Sequence, residues 1–228
     1  MNQQISIIIP VLNESGIINF TIEHLYTLDS ADTVEIIVVD GSPHGETINT
    51  ITGSDVQKIS GQKGRGSQMN QGAAVAGGNI LLFLHADTRL SPDALNQIVA
   101  ATKQPDVVGG AFDLGINSEK KVFRAIELIA STRSRLTKIP YGDQAIFFKK
   151  RFFDQIGGFK NIPIMEDVEL MQRVRKAGKK IKFVSRKVQT APRRWEKEGI
   201  VFCTLRNWSI RTLYLLGVPP EKLEKFYS

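Results

Sequence analysis

Ile5-Ser6-Ile7-Ile8-Ile9-Pro10-Val11-Leu12-Asn13-Glu14 is the stretch on which the fold turns: a β-branched apolar run that ends in a proline and a polar Asn-Glu pair. A run this short and continuous, stopped by a turn, reads as a strand buried on both faces. The pattern recurs at residues 34–39 and 79–84, and helix-compatible segments lie near Glu14 to Leu28, Gly66 to Ala76 and Pro92 to Ala101. Ser91 is the expected N-cap of the third helix, with Pro92 at its first position. Strands alternating with helices predict an α/β fold built on a central, mostly parallel sheet. In such a sheet ligands bind beyond the carboxyl ends of the strands, where Asn13, Asp40 and Asp87 fall.

The second half predicts a helix at Glu119 to Leu136, a strand at Ala145 to Lys149, a short helix at Arg151 to Ile156 and a Gly157-Gly158-Phe159 turn. A helix at about Asp167 to Ala177 then closes on Gly178, which suits a left-handed cap, and a strand at Ile181 to Ser185 follows. No linker or repeat divides the chain. One domain is expected over residues 1–228, with a nucleotide-binding lobe at 1–118 and an acceptor lobe with C-terminal helices at 119–228.

With 228 residues, 42% of them hydrophobic and 23% charged, the chain can bury one sizeable core. A single cysteine, Cys203, excludes an intramolecular disulfide and any paired-cysteine metal site. Met1-Asn2-Gln3-Gln4 leads straight into the first strand, which predicts no signal peptide and, with the cysteine count, a cytoplasmic setting. Arg206, Asn207 and Arg211 interrupt the apolar stretch Gly199 to Val218, so no transmembrane segment is expected there. Ile200, Leu205, Trp208, Leu213 and Leu216 would instead cover a core, with peripheral membrane contact as the other reading.

The net charge of +7 is unevenly placed. Residues 1–118 carry 5 Lys+Arg against 12 Asp+Glu, whereas residues 119–228 carry 25 against 11. A basic half suits an anionic ligand, a membrane surface or nucleic acid. Aromatic residues interleaved with the basic ones are sparse, which argues against nucleic acid.

Leu81 to Leu84 delivers His85-Ala86-Asp87-Thr88 at a strand end, where Asp87 could bind a hard divalent cation on a diphosphate. A turn-forming aspartate is the bland alternative. Gly61-Gln62-Lys63-Gly64-Arg65-Gly66-Ser67 lacks the lysine of a phosphate loop and the third glycine of a dinucleotide fingerprint.

Taken in order, Ile5 to Glu14, Glu35-Ile36-Ile37-Val38-Val39-Asp40-Gly41-Ser42, Asn70-Gln71-Gly72-Ala73, the strand ending in Asp87, Gly157-Gly158-Phe159 and Met165-Glu166-Asp167-Val168-Glu169-Leu170 together resemble the family 2 glycosyltransferases of GT-A fold. The resemblance spans roughly residues 5 to 185. It implies an inverting transferase that takes a nucleotide-diphosphate sugar, of uridine type, with Mg2+ or Mn2+ as cofactor, and an acceptor that the sequence leaves unknown. Pro10, Asn13 and Glu14 would line the nucleoside pocket, and Asp40 with Gly41 would meet the base or ribose. Arg65, Asn70, His85 and Ala86 would sit at the donor and Asp87 on the metal. Asp167, in its pair with Glu166, would be the general base.

Two positions depart from the family pattern. His85 stands where the family often has a first aspartate; it could ligate the metal, bond the ribose or cap the strand. Met69 stands where an arginine is common, and Arg65, four residues earlier, would compensate unless it is a plain surface arginine. Asp143, in Tyr141-Gly142-Asp143-Gln144, and Trp195, in Arg193-Arg194-Trp195, are the acceptor-side candidates, with Arg193 or Arg194 able to clamp phosphate. Gly64-Arg65-Gly66-x-Gln68-Met69-Asn70, His85 to Thr88 and Tyr214-Leu215-Leu216-Gly217-Val218 further resemble small bacterial transferases associated with radical-SAM or selenodomain genes, some linked with arsenosugar biosynthesis. A nucleotidyltransferase or other metal-dependent nucleotide-binding enzyme is the alternative.

Overall fold

The computed structural model describes residues 5–226; residues 1–4, the first part of the stretch read as lacking a signal peptide, lie outside the described residues. The elements follow in the order β1 (Ile5–Val11), α1 (Ile18–Tyr26), β2 (Val34–Asp40), β3 (Val56–Ser60), α2 (Arg65–Val75), β4 (Ile80–Phe83), β5 (Thr88–Arg89), α3 (Ala94–Thr102), β6 (Val107–Ile116), α4 (Lys121–Thr137), β7 (Phe147–Lys149), α5 (Lys150–Ile156), α6 (Glu166–Lys176), β8 (Lys180–Thr190), α7 (Arg193–Glu198), α8 (Ile200–Leu215) and α9 (Pro220–Leu223).

The strands form one sheet in the order β3-β2-β1-β4-β7-β6-β8-β5. The β1, β2, β3 and β4 pairings are parallel, and β7 runs antiparallel to both β4 and β6. Ile7, Ile9, Ile36 and Val38 face one apolar layer with α1 and α3, while Ile8, Ile37, Val39, Leu81 and Phe83 face a second with α2 and α6. Strands buried on both faces lose most apolar area from water, which is why the β-branched runs lie at the centre. Val11 stands opposite Asp40, and Ile8 opposite Phe83, so the loops after β1, β2 and β4 open on the same edge of the sheet.

Several expectations needed correction. Strands β3 and β6 were not read from sequence, and β8 continues to Thr190, five residues past the expected end at Ser185. β6 is disguised by its glycines, and their reason lies across the sheet: a Cβ on Gly109 would stand 2.3 Å from the Phe147 carbonyl oxygen, and one on Gly110 2.1 Å from that of Lys182. Helix α3 begins at Ala94 with Asp93 as its N-cap residue, because Ser91 turns instead to bond the Asp93 carboxylate at 2.9 Å. Helix α8 lays only part of its apolar residues on the core: Ile200 packs against the Leu114, Ile116 and Phe123 cluster, and Ile210 against Ile164 and Leu223. Cys203 and Ile210 are its buried residues, whereas Leu205, Trp208 and Leu213, with Leu216 just past its end, are exposed. Among the described residues no helix is long and apolar enough to cross a membrane.

Candidate active site

Beyond the carboxyl ends of β1, β2 and β4 the chain makes three loops, and their residues divide into those that face the cleft and those that build it. Asn13 turns the first loop in the left-handed conformation (φ 59°), which asparagine tolerates better than most residues. Glu14 follows, and its carboxylate accepts two hydrogen bonds from the Arg193 guanidinium at 3.1 and 3.2 Å. The same guanidinium donates to Asp87 Oδ2 at 3.1 Å. One cationic fork at the start of α7 thus bridges carboxylates from the loops after β1 and β4. Pro10 stands at the rim of this cleft, half-buried.

The second loop is built by Asp40. Its carboxylate is fully buried and accepts from the backbone amides of Ser42 (2.9 Å), Thr47 (2.8 Å) and Ile48 (3.1 Å). These bonds hold its pKa below the ordinary value against the opposing effect of burial. Gly41 donates to the Val11 carbonyl at 2.9 Å and lies under the Gln68 side chain. Gln68 is the residue that sequence reasoning passed over: buried, it donates to Val11 and Val39 carbonyls, each at 2.8 Å, and ties the ends of β1 and β2 together.

Three of the residues expected at the donor or the acceptor are engaged by the chain itself. Asn70 spends its amide on the chain: Nδ2 donates to the Phe159 carbonyl at 2.8 Å and Oδ1 accepts from the Phe159 amide at 2.9 Å. It anchors α2 to the Gly157-Gly158-Phe159 turn. Ala86 points into the core, and its carbonyl accepts the Thr21 hydroxyl. Trp195, expected at an acceptor, packs edge-on against Phe123 (centroids 5.8 Å apart) and donates from its indole nitrogen to Thr204 at 3.3 Å. Burying the ring in that satellite cluster outweighs exposing it to the cleft.

His85, Asp143, Glu166 and Asp167 meet around the loop before β7. Asp167, in the first turn of α6, accepts the Gly142 amide at 2.7 Å and its own helix's Val168 amide at 2.7 Å. His85 stands across Gly142, whose absent Cβ would lie 2.9 Å from Nε2 and 3.5 Å from Asp167 Oδ2. A small cavity is lined by His85, Gly142, Glu166, Asp167, Phe83 and Phe159. Burial, then the Arg65 charge, lowers the His85 pKa to about 4, while Asp87 and Asp167 pull the other way. The imidazole is therefore neutral near pH 7. Glu166 is almost fully buried, and burial raises its pKa against the attraction of Arg65, whose Nε lies 2.9 Å from Oε1. The second carboxylate oxygen, Oε2, has no hydrogen-bond partner. Arg65 is thus fixed at the base of the site through Glu166.

Asp143 has its pKa raised to about 6, first by burial, with Arg133 opposing and Asp167 adding to the shift. A carboxyl whose folded pKa exceeds its unfolded value of 3.8 favours folding while protonated. That stability is present below pH 3.8 and is lost as pH rises through about 6. Asp143→Asn is expected to abolish this dependence, gaining roughly 2 kcal/mol relative to the parent between pH 4 and pH 7. Chemical denaturation at the two pH values reads the difference, and parallel behaviour of parent and variant would remove the buried charge from the account.

Among the described residues no three His, Cys, Asp or Glu side chains converge as a complete metal site. Asp87 and Glu14 nevertheless present hard oxygens to a shared cation, at present the Arg193 guanidinium, so a divalent ion whose remaining ligands come from a diphosphate fits the donor set. The larger groove, about 740 Å³, lies by Asn79, Lys103, Lys149 and Lys150, away from these groups. Two of its lysines are occupied: Lys149 donates to the Gln104 carbonyl at 3.0 Å, and Lys150 to the Ala73 and Ala76 carbonyls.

The family model described as glycosyl transferase family 2 matches residues 6–163, more than half of the chain. No curated protein matches. Among solved structures, a mannosyltransferase from Pyrobaculum calidifontis in complex with GDP-Man and Mn2+ is similar at TM-score 0.66 and 20% identity, over 92% of this chain and 60% of that one. S. aureus TarS 1-349 is similar at TM-score 0.64 and 17% identity, over 83% and 61%, and its complex with UDP-GlcNAc at TM-score 0.63 and 18% identity, over 82% and 58%. The chain therefore spans about 60% of the length of these structures.

Proposed function

Since the chain belongs to glycosyl transferase family 2 and has the GT-A fold, we propose that it moves a sugar from a nucleoside diphosphate donor to an acceptor hydroxyl with inversion at the anomeric carbon. The observation that carries this reading is that Gly142 lies against both His85 Nε2 and Asp167 Oδ2, which brings the start of α6 beside the loop after β4 that carries Asp87. The donor diphosphate lies at Asp87, and the acceptor oxygen approaches Asp167.

Asp87, with Glu14 beside it, would hold Mg2+ or Mn2+, which when bound offsets the negative charge on the departing diphosphate. Arg193 yields Asp87 to that ion and remains within reach of phosphate oxygens. Asp167 accepts the acceptor's proton as its oxygen bonds the anomeric carbon and the bond to the diphosphate breaks. The Gly142 and Val168 amides aim its carboxylate. His85, neutral, offers a hydrogen bond without adding charge. A uridine diphosphate sugar is the proposed donor; the similar structures were solved with GDP-Man and with UDP-GlcNAc, so the base is the point to test first. The Gly64-to-Asn70 and His85-to-Thr88 segments support placing the chain with the radical-SAM- and selenodomain-associated bacterial transferases.

A thermal-shift panel of nucleoside diphosphates with and without Mn2+ tests the proposal. At a hundredfold excess over Kd a ligand stabilises by about 2.7 kcal/mol. For a chain of this size that raises Tm by roughly 5–10 °C. A shift confined to one nucleoside diphosphate and dependent on the metal is expected; a panel without any shift would defeat the reading.

A further inference from the structure

Beside Asp167, two arginines from distant parts of the chain converge on one phenol. Arg133, on α4, lays its guanidinium 3.6 Å from the centroid of the Tyr141 ring, and Arg211, on α8, stands 5.8 Å from the same centroid. Two like charges on one ring repel each other, and Arg211 helps burial to lower the Arg133 pKa. Such an arrangement normally comes with a carboxylate between the charges. Here, among the described residues, neither arginine has a carboxylate within salt-bridge distance; Asp143 and Asp167 act on Arg133 only from further off. Arg133 does donate from its terminal nitrogen to Ser134 at 3.1 Å.

What remains unmet is specific. The Nε atoms of Arg133 and Arg211 and the hydroxyl oxygen of Tyr141 are buried without a hydrogen-bond partner. Burial raises the Tyr141 pKa to about 12, so its hydroxyl keeps its proton and can donate. Buried donors of this kind are rare in native proteins and call for a partner. Three of them in one place, two on guanidinium forks, match the oxygens of an anion. Their position relative to the chemistry is fixed by sequence: Tyr141 precedes Gly142, whose amide bonds Asp167 at 2.7 Å.

We propose that the acceptor bears an oxyanion, a phosphate ester or a carboxylate, close to its nucleophilic hydroxyl, and that Arg133, Arg211 and the Tyr141 hydroxyl bind it. This rests on the reading of Asp167 as the base facing the acceptor. The anion neutralises the two converging guanidinium charges and orients the hydroxyl toward Asp167. A neutral polyol gains neither effect.

The test uses the full chain saturated with the nucleoside diphosphate that stabilises it and Mn2+, so that the donor phosphates are already occupied. Glycerol 3-phosphate, glycerate and glycerol are then titrated calorimetrically. At least one of the two anions is expected to bind about tenfold or more tightly than glycerol, and the tighter of them identifies phosphate or carboxylate as the recognised group. Arg133→Gln and Arg211→Gln are each expected to cost roughly tenfold in anion affinity, with nucleoside diphosphate affinity held within about twofold. Tyr141→Phe, which keeps the ring under both guanidiniums, should lose a smaller factor and covers the case in which a glutamine variant fails to fold. Anions binding no better than glycerol, or binding indifferent to the arginines, overturns the proposal. Should no nucleoside diphosphate bind at all, the transferase reading fails, while the same titration of the unloaded chain still decides the anion site.

Discussion

Asp87→Ala is expected to remove metal-dependent binding of the nucleoside diphosphate, lowering affinity measured with Mn2+ by about 100-fold or more. Loss of groups that merely support a metal ligand already costs about 10–100-fold. Asp87 contributes its carboxylate at the end of β4, where the strand continues by a Leu84 amide bond to the Ile8 carbonyl at 3.0 Å, so the group is held by the rigid part of the sheet. Removing it leaves Glu14 as the remaining carboxylate on Arg193. The guanidinium still favours phosphate, so metal-free binding should persist weakly, and the difference between titrations with and without Mn2+ should vanish. If the Mn2+ dependence survived intact, Asp87 would have to be reassigned to a structural turn.

Asp167→Asn should have the opposite signature. The amide oxygen of asparagine can still accept from Gly142 and keep the loop before β7 in place, so nucleoside diphosphate affinity is expected to stay within about twofold. Transfer should fall by roughly 10²–10⁴, the range that positioned general bases contribute. Initial rates of nucleoside diphosphate release, with kcat separated from KM, read the effect. Turnover near that of the parent would move the role to Glu166, the neighbouring carboxylate with an unpartnered oxygen in the same cavity. Glu166→Gln in parallel separates the two.

What was legible in the sequence followed from local physics. Strands β1, β2 and β4 could be read because strands covered on both faces need unbroken apolar runs, and Asp87 follows the last of them; Asp167, in the first turn of α6, was singled out only by the resemblance of its Glu-Asp pair. β6 escaped because Gly109 and Gly110 answer to a neighbouring strand's carbonyls, which no local pattern encodes. The same applies to the site. That Asn70 bonds Phe159 and Trp195 packs on Phe123 follows from long-range packing, which the local sequence does not encode. Arg133 went unremarked and Arg211 was read only as an interruption of the apolar stretch after Gly199, because only the packing of α4 and α8 around the loop before β7 brings them together. A signal did exist in the excess of arginine and lysine after residue 118, but charge counts carry no direction.

The order in which the strands enter the sheet bears on how such a protein can be made and divided. Strand β7 lies between β4 and β6, although β6 precedes it along the chain. A nascent polypeptide emerging from the ribosome must therefore hold Ile80–Phe83 and Val107–Ile116 apart, each with an unsatisfied backbone edge, until Phe147–Lys149 arrives to bridge them. A fragment cut at residue 118 would keep both open edges permanently. It would be expected to clump with its own copies rather than serve as a stand-alone nucleotide-binding module.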